Sequence, residues 1–167
     1  HRVSSVQTNM ELWKRMLGDM KQGEATVRMK IDMSHANTTM RDPSIARGPD
    51  GTYHMVWTSG WWEKGIGYAS TKDFITWSEQ KEIPVMAHEP TVRNSWAPEV
   101  AFDPRRKEFI IFWASTIPGR FTATAASSES DYNHRMYFTT TKDFSTFAPT
   151  RLFYDPGFSV IDATFLY

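Results

Sequence analysis

"GYASTKDFITW" (Gly67–Trp77) and "MYFTTTKDFSTF" (Met136–Phe147) share one core, Thr-Lys-Asp-Phe-x-Thr-aromatic, with Thr71 and Thr141 lying 70 residues apart. Working outward, the likeness continues. "DGTYHMVWTS" (50–59) matches "RKEFIIFWAS" (106–115), with Trp57 opposite Trp113. Further upstream "RDPSIA" (41–46) matches "WAPEVA" (96–101). The turn clusters "GPDG" (48–51) and "DPRRKE" (103–108) separate the apolar runs of each unit as hairpin loops do. Each unit therefore reads as four short antiparallel strands. Four-stranded sheets repeated in tandem are the signature of a β-propeller. The predicted class is all-β, with two full blades and the first strand of a third.

The terminal stretch "FSVIDATFLY" (158–167) fits the same register. Asp162-Ala163-Thr164 aligns with Asp42-Pro43-Ser44 and with Ala97-Pro98-Glu99. Blade one is expected at about 41–95, blade two at about 96–157, and the opening strand of blade three at 158–167. Residues 1–40 form a separate extension. There Thr8-x-x-Glu11 has capping-box spacing, and Trp13, Met16, Leu17 and Met20 recur at helical intervals, predicting a short helix over about 9–21. "ATVRMKIDM" (25–33) alternates as a half-buried strand does. "TATAASSESD" (122–131) has little to bury and reads as an exposed loop.

The chain has 167 residues and equal acidic and basic counts of 19, which argues against a nucleic-acid footprint or a polybasic membrane patch. It has no cysteine, so no disulfide frame or thiolate metal site exists. No apolar run approaches the ~20 residues of a membrane-spanning helix. His1 in place of an initiator Met reads as a processed or an artificially cut end; an export signal removed there would leave localisation open, with a secreted or periplasmic protein favoured. Seven Trp, six Tyr and eleven Phe exceed what a core of this size needs, and the surplus suits stacking on sugar rings or protein interfaces.

Asp42 and Asp162 occupy one repeat position on two blades, so both should enter the same axial pocket. Two carboxylates converging on a cleft suit glycoside hydrolysis, where one activates a water and another group protonates the leaving oxygen. The bland readings are an Asp-Pro turn at Asp42 and a turn-capping carboxylate at Asp162. "MRDPSIA", "NSWAPEVAFD" and "VIDATFLY", in that order, resemble the first three blades of glycoside hydrolase family 43. That resemblance implies a five-bladed propeller and inverting hydrolysis of arabinose- or xylose-containing glycans, of the α-L-arabinofuranosidase or β-xylosidase type. It implies that Asp42 is the general base and that Asp162 orients the general acid and tunes its pKa. The acid itself, a Glu opening blade four, would lie outside this chain, on missing C-terminal blades or a second polypeptide.

Glu99 is the alternative acid within the chain, but strand alternation is expected to turn it away from the pocket axis. Trp96 is expected at the rim. Trp61 and Trp62, adjacent in the Gly-flanked loop "SGWWEKG" (59–65), should leave at least one ring exposed for substrate. Arg41 is a further candidate for sugar hydroxyls. The expected substrate is an oligosaccharide or polysaccharide, with no cofactor and no metal. "GIG" (65–67) lacks the third Gly of a dinucleotide loop, and "HEP" (88–90) has Val92 where a zinc site needs His. A non-catalytic glycan-binding or chain-pairing propeller piece is the alternative. A fructan hydrolase is weaker, since Met40-Arg41-Asp42-Pro43 stands where those families carry Asn-Asp-Pro.

Overall fold

The computed structural model describes residues 7, 8, 11, 14, 15, 41–127 and 131–165. The chain divides into two units, His1–Asp32 and Met33–Tyr167. In the first, Gln7, Thr8, Glu11, Lys14 and Arg15 are helical and exposed. The rest of the expected helix, and the strand expected over 25–33, lie outside the described residues.

The second unit holds two antiparallel four-stranded meanders. One is β1 (Arg41–Arg47), β2 (Tyr53–Thr58), β3 (Ile66–Thr71) and β4 (Lys81–Ile83); the other is β5 (Trp96–Asp103), β6 (Glu108–Ser115), β7 (Arg135–Thr141) and β8 (Arg151–Tyr154). Each strand pairs with its neighbour in sequence, so each sheet is a meander of hairpins, the longest connection being 116–134 between β6 and β7. The turn positions carry left-handed backbone at Gly51 (φ 82°) and Lys107 (φ 55°), equivalent places in the two β1–β2-type loops.

The repeat holds to the residue. Val56 faces Ser44 across β1–β2, and Phe112 faces Glu99 across β5–β6. Trp57 and Trp113 are thus equivalent. Both sheets carry a register shift at the same place, between Arg41 and Ser44 and between Trp96 and Glu99. Pro43 and Pro98 lie in these bulges, where a missing N–H does not break the ladder.

The Thr-Lys-Asp-Phe core is a cap closing the third strand. Thr71 Oγ1 donates to the Thr76 carbonyl (2.7 Å) and accepts from Phe74 N–H (3.0 Å). Asp73 Oδ1 accepts from the N–H of Thr76 (2.7 Å) and Ile75 (2.9 Å). Thr141, Asp143, Phe144, Ser145 and Thr146 repeat these bonds at 2.7, 2.9, 2.9 and 2.8 Å. The backbone donors, Thr76 before Ile75 and Thr146 before Ser145, hold both carboxyl groups below the usual aspartate range. Phe74 and Phe144 follow at positive φ (58° and 54°), the bend the cap enforces.

The two sheets share one core, in which Val56, Ile66 and Tyr68 meet Ile111, Trp113, Tyr137 and Phe144. The faces in contact are not equivalent. Val56 comes from the front of the first sheet and Trp113 from the back of the second. The back of the first sheet carries Met55, Trp57 and Ala69 in a separate cluster. The front of the second carries Phe112, Ala114 and Met136, onto which Val160, Ala163 and Phe165 pack. Front-to-back stacking is the propeller-like arrangement, whereas a two-fold sandwich would pair like faces.

One expectation is corrected. Residues 160–165 follow the register of an opening strand, yet they form no ladder. A strand is defined by a partner's N–H and C=O groups, and among the described residues this segment is tied to the sheet's backbone by Val160 N–H donating to the His134 carbonyl (3.2 Å). Leu166 and Tyr167 lie outside the described residues.

Candidate functional site

A cleft of about 210 Å³ is lined by Pro43, Ser44, Ala97, Pro98, Glu99, Asp162, Ala163 and Thr164. These are the same tripeptide from three successive units, 42–44, 97–99 and 162–164, with the Asp42 side chain outside the described residues. Backbone conformation marks the equivalence: Ala97 (φ 48°) and Asp162 (φ 59°) both lie in the left-handed region. β1 packs directly on β5, which sets the first two tripeptides side by side. Two bonds lock them: Val100 N–H to Ser44 Oγ (3.1 Å) and Ala97 N–H to Thr58 Oγ1 (3.0 Å).

The third tripeptide arrives on a stitched segment. Arg135, almost fully buried, pairs with Asp155, which also accepts from Gly157 N–H (2.9 Å). His134 N–H donates to Ser159 Oγ (3.0 Å), and Ser159 Oγ donates to the Tyr132 carbonyl (3.4 Å). Arg135 also donates to Asn133 Oδ1 (2.8 Å) and Thr124 Oγ1 (2.6 Å) and lies over the Phe121 ring. Residues 155–160 are therefore tied to the start of β7, and Asp162 follows two residues later.

Glu99 lies in the cleft, contrary to the expectation that alternation turns it away. Residues two apart share a face of a strand, and the bulge between Trp96 and Glu99 leaves the whole Ala97–Glu99 stretch open to the cleft. Its carboxylate is half-buried and has no hydrogen-bond or ion-pair partner among the described residues. Ser44 and Thr164 hold the equivalent place on the other two units. The signal that finds all three is the third column of the repeat alignment.

Trp61, Trp62 and Trp96 are not in this lining. Trp96, half-buried, donates Nε1–H to the Trp61 carbonyl (3.0 Å) and meets the Trp61 ring edge-on at 5.2 Å. Its other neighbours are Tyr132 (4.9 Å) and His134 (5.3 Å), and Arg93 lies over Tyr132 at 4.3 Å. This aromatic group stands beside the entry to β5. Trp61 and Trp62 are 41% and 65% exposed. Burial, then the nearby Arg93 charge, push His134 down to about 4, so the ring is neutral at pH 7. The Arg41 side chain lies outside the described residues. Among the described residues no group of three or more His, Cys, Asp or Glu is arranged to hold a metal.

Fold and cleft together define a propeller-like protein with carboxylates in the cleft where its repeated tripeptides meet. A family profile described as "Probable glycosyl hydrolase domain" (Glyco_hydro_43_rel) matches residues 18–167, and the chain belongs to that family. Among solved structures it is similar to "Hadza microbial sialidase Hz136", with TM-score 0.53, 15% identity, and 70% of this chain on 26% of that one. It is also similar to a thermostable family-43 glycoside hydrolase, with TM-score 0.51, 18% identity, and 74% of this chain on 36% of that one. At these identities the likeness is one of fold.

A shorter stretch resembles other proteins. Over 48 residues the chain is 54% identical to a glutamate–tRNA ligase of Korarchaeum cryptofilum, a span of 28% of this chain and 8% of the ligase. Over 55 residues it is 46% identical to a glutamine–tRNA ligase of Clostridioides difficile, a span of 32% of this chain and 10% of the ligase. The chain spans a tenth or less of these curated relatives.

Proposed function

We propose that the protein carrying this chain is an inverting glycoside hydrolase acting on arabinose- or xylose-containing glycans. The observation that carries the reading is the cleft built by one tripeptide taken from three units, with Asp162 in its lining and Asp42 at the equivalent position of β1. Asp42 is the general base that activates a water. Asp162 orients the general acid and tunes its pKa. The acid belongs to a further sheet or a second polypeptide, and exposed apolar groups on β8 and the segment after it support such a neighbour: Phe153, Tyr154, Phe158 and Ile161 are 44%, 54%, 54% and 41% exposed.

Exposed Trp61 and Trp62, with Trp96 beside them, favour sugar stacking outside the cleft. They also favour the second reading, glycan binding without hydrolysis. Aryl arabinofuranoside and aryl xyloside assays on the full protein separate the two. Asp42→Asn and Asp162→Asn should each lower kcat by about 10²–10⁴-fold. The first product anomer seen by NMR should be inverted. Wild-type protein that binds glycan and hydrolyses neither glycoside selects the second reading, and a retained anomer refutes inversion.

A further inference from the structure

We infer that Glu99 is a specificity-determining residue of the cleft: its carboxylate accepts hydrogen bonds from adjacent hydroxyl groups of the sugar ring seated there. This rests on the reading of the cleft as a sugar site and adds a residue that the general acid, base and tuner roles leave out. Four observations carry it. Glu99 lines the cleft from the second of its three tripeptides, together with Ser44 of the first and Thr164 of the third. The carboxylate is half-buried and unpartnered among the described residues, leaving its lone pairs for a ligand. Of the remaining lining, Pro43, Ala97, Pro98 and Ala163 carry no side-chain donor, and the hydroxyls of Ser44 and Thr164 make no hydrogen bond to Glu99. The volume of about 210 Å³ falls below the roughly 300–1,000 Å³ of pockets for drug-sized ligands and suits one ring.

The same geometry sets a charge preference. Among the described lining residues Glu99 and Asp162 are the ionisable ones, and no Lys, Arg or His accompanies them. A ring bearing its own carboxylate would meet two like charges and no counterion among the described lining residues, whereas hydroxyl donors are matched by an acceptor-only group. Glu99 thus selects neutral rings with vicinal hydroxyls.

NMR titration of the full protein with methyl α-L-arabinofuranoside and methyl β-D-xylopyranoside tests this, with methyl β-D-glucuronopyranoside as the anionic ring. Wild type should bind a neutral glycoside and not the glucuronide. Glu99→Ala should weaken the neutral glycoside at least about tenfold with an unchanged melting temperature. Glu99→Gln, which keeps the shape and loses the charge, should admit the glucuronide, and it serves as the test should the Ala variant fail to fold. The assignment is overturned if the Glu99 variants bind neutral glycosides within about twofold of wild type, if wild type binds the glucuronide as tightly, or if neither neutral ring binds. Hydrolysis is scored separately. Selective binding without turnover removes the hydrolase reading and leaves Glu99 standing, while turnover untouched by Glu99→Ala does the reverse.

Discussion

At the scale of single residues, buried His134 has the clearest consequence in solution. It is 5% exposed and held neutral down to about pH 4, against an ordinary value of 6.5. The unfolded chain takes up a proton below about pH 6.5, where the folded chain does not. Stability is therefore fully present above that pH and is lost as pH falls towards 4, by on the order of 3 kcal/mol. His134→Phe, which preserves a flat ring between Trp96 and Tyr132, should flatten this part of the profile when melting temperature is followed from pH 7 to 4. An unchanged slope would assign the loss elsewhere. Residues of this kind were the least legible in the sequence. His134 belongs to no motif, and its burial arises from packing against Trp96, distant in the chain. Glu99 was misread for a related reason: strand alternation predicts facing only where the ladder is regular, and the Pro98 bulge interrupts it.

At the scale of elements, the repeat made both sheets readable, because hairpin turns and apolar alternation are local signals. The Thr-Lys-Asp-Phe likeness was visible as a pattern, and its cause is now explicit: hydroxyl and carboxylate together satisfy the amides of a tight bend. What alternation could not tell is how equivalent strands adapt to their neighbours. Trp57 and Trp113 are equivalent, yet Trp57 faces Gly67 across the ladder while Trp113 faces Tyr137. A Cβ on Gly67 would sit 2.1 Å from Trp57 Cε2. Gly67→Ala should therefore destabilise by about 1–3 kcal/mol through overpacking, measured by denaturant titration. Trp57→Leu in the same background should recover part of the loss. A neutral Gly67→Ala would mean that the indole shifts freely.

At the scale of the molecule, the front of the second sheet remains partly uncovered. Phe153 stacks on Phe112 at 5.4 Å yet stays 44% exposed, and Tyr154 is 54% exposed. A chain of these 167 residues should self-associate at micromolar concentration in light scattering, and Phe153→Lys with Tyr154→Ser should restore the monomer. A monodisperse wild-type chain would mean that the face needs no cover. Front-to-back stacking also orders events on the ribosome. Each meander closes its own hairpins from residues adjacent in the chain, so it can form as soon as it emerges. The front of the first is then covered by the back of the second, the next to be synthesised. Within these two meanders the first waits only on its immediate successor to cover its front, and growth from the N-terminus becomes the natural direction of their assembly.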